Sequence, residues 1–121
     1  MAKLFHSDAA DTYGDIRRLK WSDTEKVIAR KAFEHALQKE LHEVIQKAKR
    51  MAATIEQPSD LWELESFLAK RRNEIDRKYD YRYSVLPEVF VNLVREGRVG
   101  EQQLHGLAED KLGYIHEFAK H

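Results

Sequence analysis

The sequence contains no cysteine, which excludes disulfide bonds, thiolate metal sites and cysteine nucleophiles. It also lacks net charge, because 21 lysines and arginines balance 21 aspartates and glutamates. Bulk electrostatics therefore give no reason to expect nucleic acid or an anionic membrane surface as a partner. No run is apolar enough to cross a bilayer or to serve as a signal peptide. We expect a cytoplasmic protein without membrane insertion.

Catalytic and metal-binding motifs are also missing from the sequence. There is no glycine-rich phosphate loop and no serine nucleophile elbow. His42-Glu43 begins like a zinc-protease motif, but Gln46 stands where that motif needs its second histidine. The Glu-x-x-His pair of di-iron bundles fails as well, since Ala32 and Lys39 precede His35 and His42 by three residues. We expect a protein that is not an enzyme and holds neither a metal nor a cofactor.

The apolar residues that are present follow helical periods. Ser22-Asp23-Thr24-Glu25 forms a capping box, which predicts a helix from Asp23 to about Ile55. Along this helix, apolar side chains recur at alternating steps of four and three residues, as in a coiled coil. This seam, which we expect to pack within a hairpin or a dimer, comprises Leu37, Leu41, Val44, Ala48, Met51 and Ile55.

Pro58 and Pro87 divide the rest of the chain. A second long helix is predicted from Asp60 to about Ser84, with a core stripe of Leu61, Leu64, Leu68, Ile75 and Tyr79. The short loop before it favours antiparallel packing. Shorter helices should follow to Glu96, at Glu101–Leu107 and at Glu109–Lys120. The predicted fold is all-α and homodimeric, with a mobile arm (1–20), a long antiparallel hairpin (21–83) and a small helical head (84–121).

The second long helix carries another stripe, about 100° around its axis from the leucines. A tryptophan and an arginine beside small residues suit a helix–helix interface, where Trp and Arg are common anchors. The alternative is that Trp62 fills the core of one hairpin and Arg72 is a surface charge. The stripe, a candidate for dimerisation, client binding or both, comprises Trp62, Glu65, Ser66, Ala69, Arg72 and Asn73.

Basic residues on both long helices raise an alternative function, a helical nucleic-acid-binding regulator. They are Lys47, Lys49, Arg50, Lys70, Arg71, Arg72, Arg77, Lys78 and Arg82. Acidic residues are interleaved with them, whereas phosphate binding needs net positive potential. We therefore favour a protein partner.

The tract Arg-Arg-x-Glu-Ile-Asp-x-Lys-Tyr-Asp, from Arg71 to Asp80, is more specific than a generic coiled coil. Together with Asp-Leu-Trp-Glu-Leu from Asp60 and Leu-Val-Arg-Glu-Gly from Leu93, it resembles the fluorescence recovery protein family of cyanobacteria. The resemblance covers roughly Trp21 to His116. It implies an all-α homodimer without catalytic activity. It also implies a protein client, the orange carotenoid protein, whose return from its red to its orange form the family accelerates.

Trp62 and Arg72 match the interface tryptophan and the second arginine of that family. Other positions depart from the family pattern. Glu65-Ser66 stands where members tend to have His-Asp, Glu88 where an aromatic residue is expected, and Tyr114 where a lysine is expected. These residues are candidate client contacts. The departures leave open a homologue with a different protein client, in an organism without the carotenoid photoreceptor.

Overall fold

The computed structural model describes residues 16–120, and within this range all regular structure is helical. The α-helices are α1 (Asp23–Ala53), α2 (Pro58–Lys78), α3 (Leu86–Arg95) and α4 (Glu109–Ala119). Short 3-10 turns lie at Ile16–Arg18 and Glu101–Leu104. The predicted all-α class is confirmed. Residues 1–15 of the predicted arm lie outside the described residues.

The start of α1 is the predicted capping box. The Glu25 amide donates to the Ser22 hydroxyl at 3.1 Å, and the Ser22 amide donates to the Glu25 carboxylate at 2.9 Å. Both bonds satisfy backbone N–H groups that the first turn of a helix leaves without partners. The helix ends at Ala53, where the Thr54 hydroxyl donates to the Met51 carbonyl at 3.1 Å. It is therefore about two residues shorter than predicted.

Helix α2 begins near its predicted start but ends early. The Asp60 carboxylate accepts from the amides of Glu56 and Gln57, each at 3.0 Å, which caps the helix. The helix stops at Lys78, so the predicted continuation to Ser84 is wrong. The physical reason is an alternation of tyrosines at 79, 81 and 83, which suits extended chain better than helix. Their rings join one aromatic row with Phe33 and Trp21.

The core lies where α3 and α4 pack on the first half of α1. Leu86, Phe90 and Leu93 of α3 are completely buried, as are Ala29 and Ala36 of α1. Gly97 has a φ of +74°, a left-handed conformation that lets it end α3 as a C′ residue, as predicted. The predicted helix Glu101–Leu107 is instead a 3-10 turn that ends at Leu104.

The far half of the two long helices has no core of its own. We call residues 41–74 the distal segment; none of its side chains is buried, whereas its neighbours Glu40 and Ile75 are. The predicted seam residues from Leu41 to Ile55 lie here and are only half-buried. Within residues 16–120, no helix combines the length and the apolar character needed to span a membrane.

Candidate protein-interaction site

The first half of α2 exposes large apolar side chains to solvent. Trp62 is 58% exposed, Leu61 47% and Leu68 42%. Exposed apolar residues that adjoin one another in this way mark interaction surfaces rather than ordinary protein surface. They line a shallow cavity of about 490 Å³. We call its lining the Trp62 surface, which comprises Leu61, Trp62, Leu64, Glu65, Leu68, Ala69 and Arg72.

The structure brings together four of the six residues of the predicted interface stripe. Trp62, Glu65, Ala69 and Arg72 line the cavity, whereas Ser66 and Asn73 are exposed beside it and do not. The expectation that Leu61 and Leu68 belong to the hairpin core is wrong, since both are exposed and line the same cavity as Trp62.

The rotation of α2 explains this exposure. Phe67 and Arg71, one turn apart, point towards α1: Lys47 Nζ lies 4.9 Å from the centre of the Phe67 ring, and Arg71 Nη2 lies 2.8 Å from Glu40 Oε2. A helix that directs these residues towards α1 places Leu61 and Leu68 on its flank, about 80–100° around the axis, and Trp62 on its far side. The leucines alone did not reveal this orientation, because a leucine stripe on a long helix usually indicates the core.

Glu40 is a buried charged residue whose role in joining the elements was not predicted from the sequence. Its carboxylate is completely buried and lies 2.8 Å from Arg71, 2.8 Å from Lys78 and 3.1 Å from Arg98. The Tyr79 hydroxyl also donates to it at 2.8 Å. Burial would raise the pKa of Glu40, but hydrogen bonds from Lys78, Tyr79 and Arg71 hold it below its usual value.

This Glu40 cluster ties both long helices to the head. Arg71 and Lys78 come from α2, and Arg98 follows α3 in the head. The sequence did carry a signal for Glu40: no lysine or arginine stands three or four residues away, and Ala36, Leu37 and Val44 occupy three of those four positions. The cluster also engages Arg71 and Lys78, two cations of the stripe considered for nucleic acid.

A second buried ion pair joins the start of α1 to α4. Lys111 Nζ lies 3.0 Å from Glu25 Oε2, and both residues are buried. The Ala108 amide donates to the same carboxylate at 2.8 Å. Burial opposes the charge, but hydrogen bonds from Ser22, Ala108 and Lys111 lower the pKa of Glu25 to about 2.

The predicted head contacts, Glu88 and Tyr114, come close together across α3 and α4. Burial raises the pKa of the Tyr114 phenol above its usual value, and the nearby Glu88 charge raises it further. The Tyr114 ring lies 4.7 Å from the Phe118 ring, centre to centre. The two candidates therefore share one face of the head, formed by α3 and α4, whereas the Trp62 surface lies on α2.

Among residues 16–120, no three His, Cys, Asp or Glu side chains are placed to hold one metal ion. What this part of the chain does present is an apolar helix face with an arginine at its edge. These features define a helical protein-interaction module.

Comparison with known proteins agrees with this class. The sequence profile of the photoprotection regulator fluorescence recovery protein matches residues 21–119. The fluorescence recovery protein of Synechocystis sp. is 41% identical over 100 residues, covering 83% of this chain and 92% of the relative. The chain therefore belongs to the fluorescence recovery protein family, a family of photoprotection regulators.

Solved structures of family members have the same fold. The Fremyella diplosiphon fluorescence recovery protein aligns with a TM-score of 0.79 at 40% identity, covering 84% of this chain and all of that one. The Synechocystis sp. protein gives the same TM-score, identity and coverage. Residues 1–20 precede the family match.

Proposed function

We propose that this chain is a homodimeric regulator that binds the orange carotenoid protein and accelerates its reversion from the red to the orange form. This activity would end photoprotective quenching. Family membership over residues 21–119 supports the client, as do Trp62 and Arg72 at the positions where the resemblance places interface residues. The exposed Trp62 surface is the observation that carries the proposal, because one chain leaves it uncovered.

The proposed dimer follows from the distal segment. Glu40 contacts Arg71 and Lys47 contacts Phe67, which supports an antiparallel hairpin in which the distal segment is the end beside the loop. A two-helix hairpin without buried residues gains little from packing, and isolated helices are marginal in water. A second copy placed on the Trp62 surface would remove its tryptophan and leucines from solvent.

The proposed activity needs neither a catalytic group nor a cofactor. A protein accelerates a conformational change in a client when it binds the transition state or an intermediate more tightly than the starting form. Contacts from the distal segment and from the Glu88–Tyr114 face of the head would let one regulator bridge two parts of its client.

A second candidate function is regulation of a different protein client. The observation that favours it is the set of departures at Glu65, Ser66, Glu88 and Tyr114. Glu65 lies on the Trp62 surface itself, where a negative charge replaces the expected histidine. Mismatched contacts of this kind cost about 1–2 kcal/mol each at an interface.

The test is the rate of red-to-orange recovery of the orange carotenoid protein in the dark. We expect weak acceleration by the wild type and stronger acceleration by Glu65→His with Ser66→Asp, because the variant restores the family's residues. Glu63→His with Ser59→Asp is the matched control, since it makes the same changes at exposed positions outside the Trp62 surface. No acceleration by any of these proteins, with folding intact, would assign the chain to another client.

A further inference from the structure

The head contains a groove that belongs neither to the Trp62 surface nor to the Glu88–Tyr114 pair. It lies between the turn Glu101–Leu104 and α4 and has a volume of about 780 Å³. This volume is in the range of sites that hold small ligands or peptide side chains. Leu104, Leu107 and Ile115 form its apolar floor. We call it the head groove.

Two glycines, Gly106 and Gly113, border the head groove. Gly106 has a φ of +107°, a conformation that residues with a side chain rarely adopt, so its backbone requires glycine. Gly113 lies inside α4 with no positive φ, where glycine weakens the helix. It lines the groove without contributing a side chain.

The charges at the rim of the head groove are negative. Glu101 and Glu109 line it, together with histidines but without any lysine or arginine. Among the described residues, Glu109 makes no ion pair. Glu101 pairs only with His116, whose Nδ1 lies 3.2 Å from Glu101 Oε1. An occupant with a positive charge beside an apolar group would match both the rim and the floor.

We propose that the head groove binds a segment of the protein client that presents an apolar side chain next to a lysine or arginine. The apolar side chain lies on the leucine floor and the cation lies beside Glu109. This inference rests on the proposed function, since it names the chemistry of the client segment. It does not use the Trp62 surface, so that contacts at the groove and at that surface can exist at once.

A direct test uses short peptides and does not depend on the client. Acetyl-Leu-Lys-Leu-Lys-amide and acetyl-Leu-Glu-Leu-Glu-amide are titrated into the full chain, and the backbone amide signals of Gly106 and Gly113 are followed by NMR. We expect saturable shifts with the lysine peptide, little change with the glutamate peptide, and loss of the effect in Gly113→Leu. Gly113→Leu fills the groove with a residue that favours helix.

The second test is recovery of the orange carotenoid protein. Glu101→Lys with Glu109→Lys should reduce the acceleration about tenfold relative to the wild type, because rim charges are reversed. Glu34→Lys with Glu117→Lys makes the same change of charge at exposed positions outside the groove and should have no effect. Unchanged acceleration by the groove variant would overturn the inference while leaving the proposed function intact.

Other outcomes also separate the two ideas. No acceleration by the wild type would contradict the proposed function, and the peptide titration would then decide on the groove alone. Equal shifts with both peptides, or none, would overturn the inference. The inference would also be overturned if the lysine peptide bound only to a variant of the chain that carries Leu4→Asp and Phe5→Asp. That result would assign the groove to the chain's own Lys3-Leu4-Phe5.

Discussion

The Glu40 carboxylate forms ion pairs and a hydrogen bond with side chains that lie far apart in sequence. Removing its charge leaves Arg71, Lys78 and Arg98 mostly buried with one neighbour fewer. Each of these cations keeps another carboxylate, namely Glu74, Glu96 or Glu43. The loss should therefore be smaller than for an isolated buried pair.

We expect Glu40→Gln to lower the free energy of unfolding by about 2–3 kcal/mol, because it removes the buried carboxylate from three mostly buried cations and leaves them only more exposed partners. Urea unfolding followed by circular dichroism measures the change. Glu43→Gln is the control, because Glu43 contacts Arg98 but its side chain is 51% exposed, and its loss should cost less than about 0.5 kcal/mol. Equal effects of the two substitutions would show that the burial of Glu40 does not increase its contribution to the free energy of unfolding.

Glu25 should make the stability of the protein depend on pH in the acid range. Its pKa is about 2 in the folded chain, below the ordinary value of 4.5, so the unfolded state binds more protons between these two values. Its contribution to stability is present above pH 4.5 and is lost as the pH falls towards 2. Melting temperatures measured across this range should fall more steeply in the wild type than in Glu25→Gln. Parallel curves would contradict the assignment.

At the scale of elements, α2 shows how tertiary contacts set the orientation of a helix. Its sequence offers an apolar stripe of leucines and a mixed stripe with Phe67 and Arg71, and either could face α1. Arg71 and Lys78 lie seven residues apart on one face, and both reach Glu40. This pairing leaves Leu61, Trp62 and Leu68 exposed.

Amide hydrogen exchange should divide the long helices at Glu40. Amides of residues 41–74 are expected to lose protection as the protein is diluted, because the proposed partner copy would supply the buried apolar contacts that one chain lacks in the distal segment. Amides of α3 are the internal control, since the core of one chain covers this helix. Protection of the distal segment that does not change with concentration would show that a single chain stabilises it.

At the scale of the whole molecule, the distal segment and the head depend on different interactions. The head has a closed apolar core, whereas the Trp62 surface remains open in one chain. The protein should therefore be a dimer at micromolar concentration, with a monomer whose head remains folded.

We expect Trp62→Ala to raise the dimer dissociation constant about 30-fold, because an interface tryptophan contributes about 2 kcal/mol. Sedimentation velocity over a concentration series measures this. Val27→Ala is the control: Val27 is 67% exposed on α1 but lies outside the distal segment, so dimerisation should not change. An unchanged dimer that melts at a much lower temperature would instead place Trp62 in the core of one chain.

The sequence by itself determined the features that depend on neighbours along the chain. The capping box at Ser22, the break at Pro58 and the left-handed Gly97 follow from the local chemistry of hydroxyl, proline and glycine, so their predicted positions agree with the structure. The tract from Arg71 to Asp80 was distinctive enough to indicate the family.

Tertiary structure alone decided which faces of the helices are buried. Glu25 and Glu40 have no lysine or arginine three or four residues away, and their partners come from elements far away in sequence, so local spacing could not identify those partners. The tyrosines after Lys78 leave the helix because Phe33 and Trp21 offer their rings a place to pack. Long-range contacts of this kind have no local pattern. For that reason the sequence predicted Trp62, Glu65, Ala69 and Arg72 of the Trp62 surface but not its leucines.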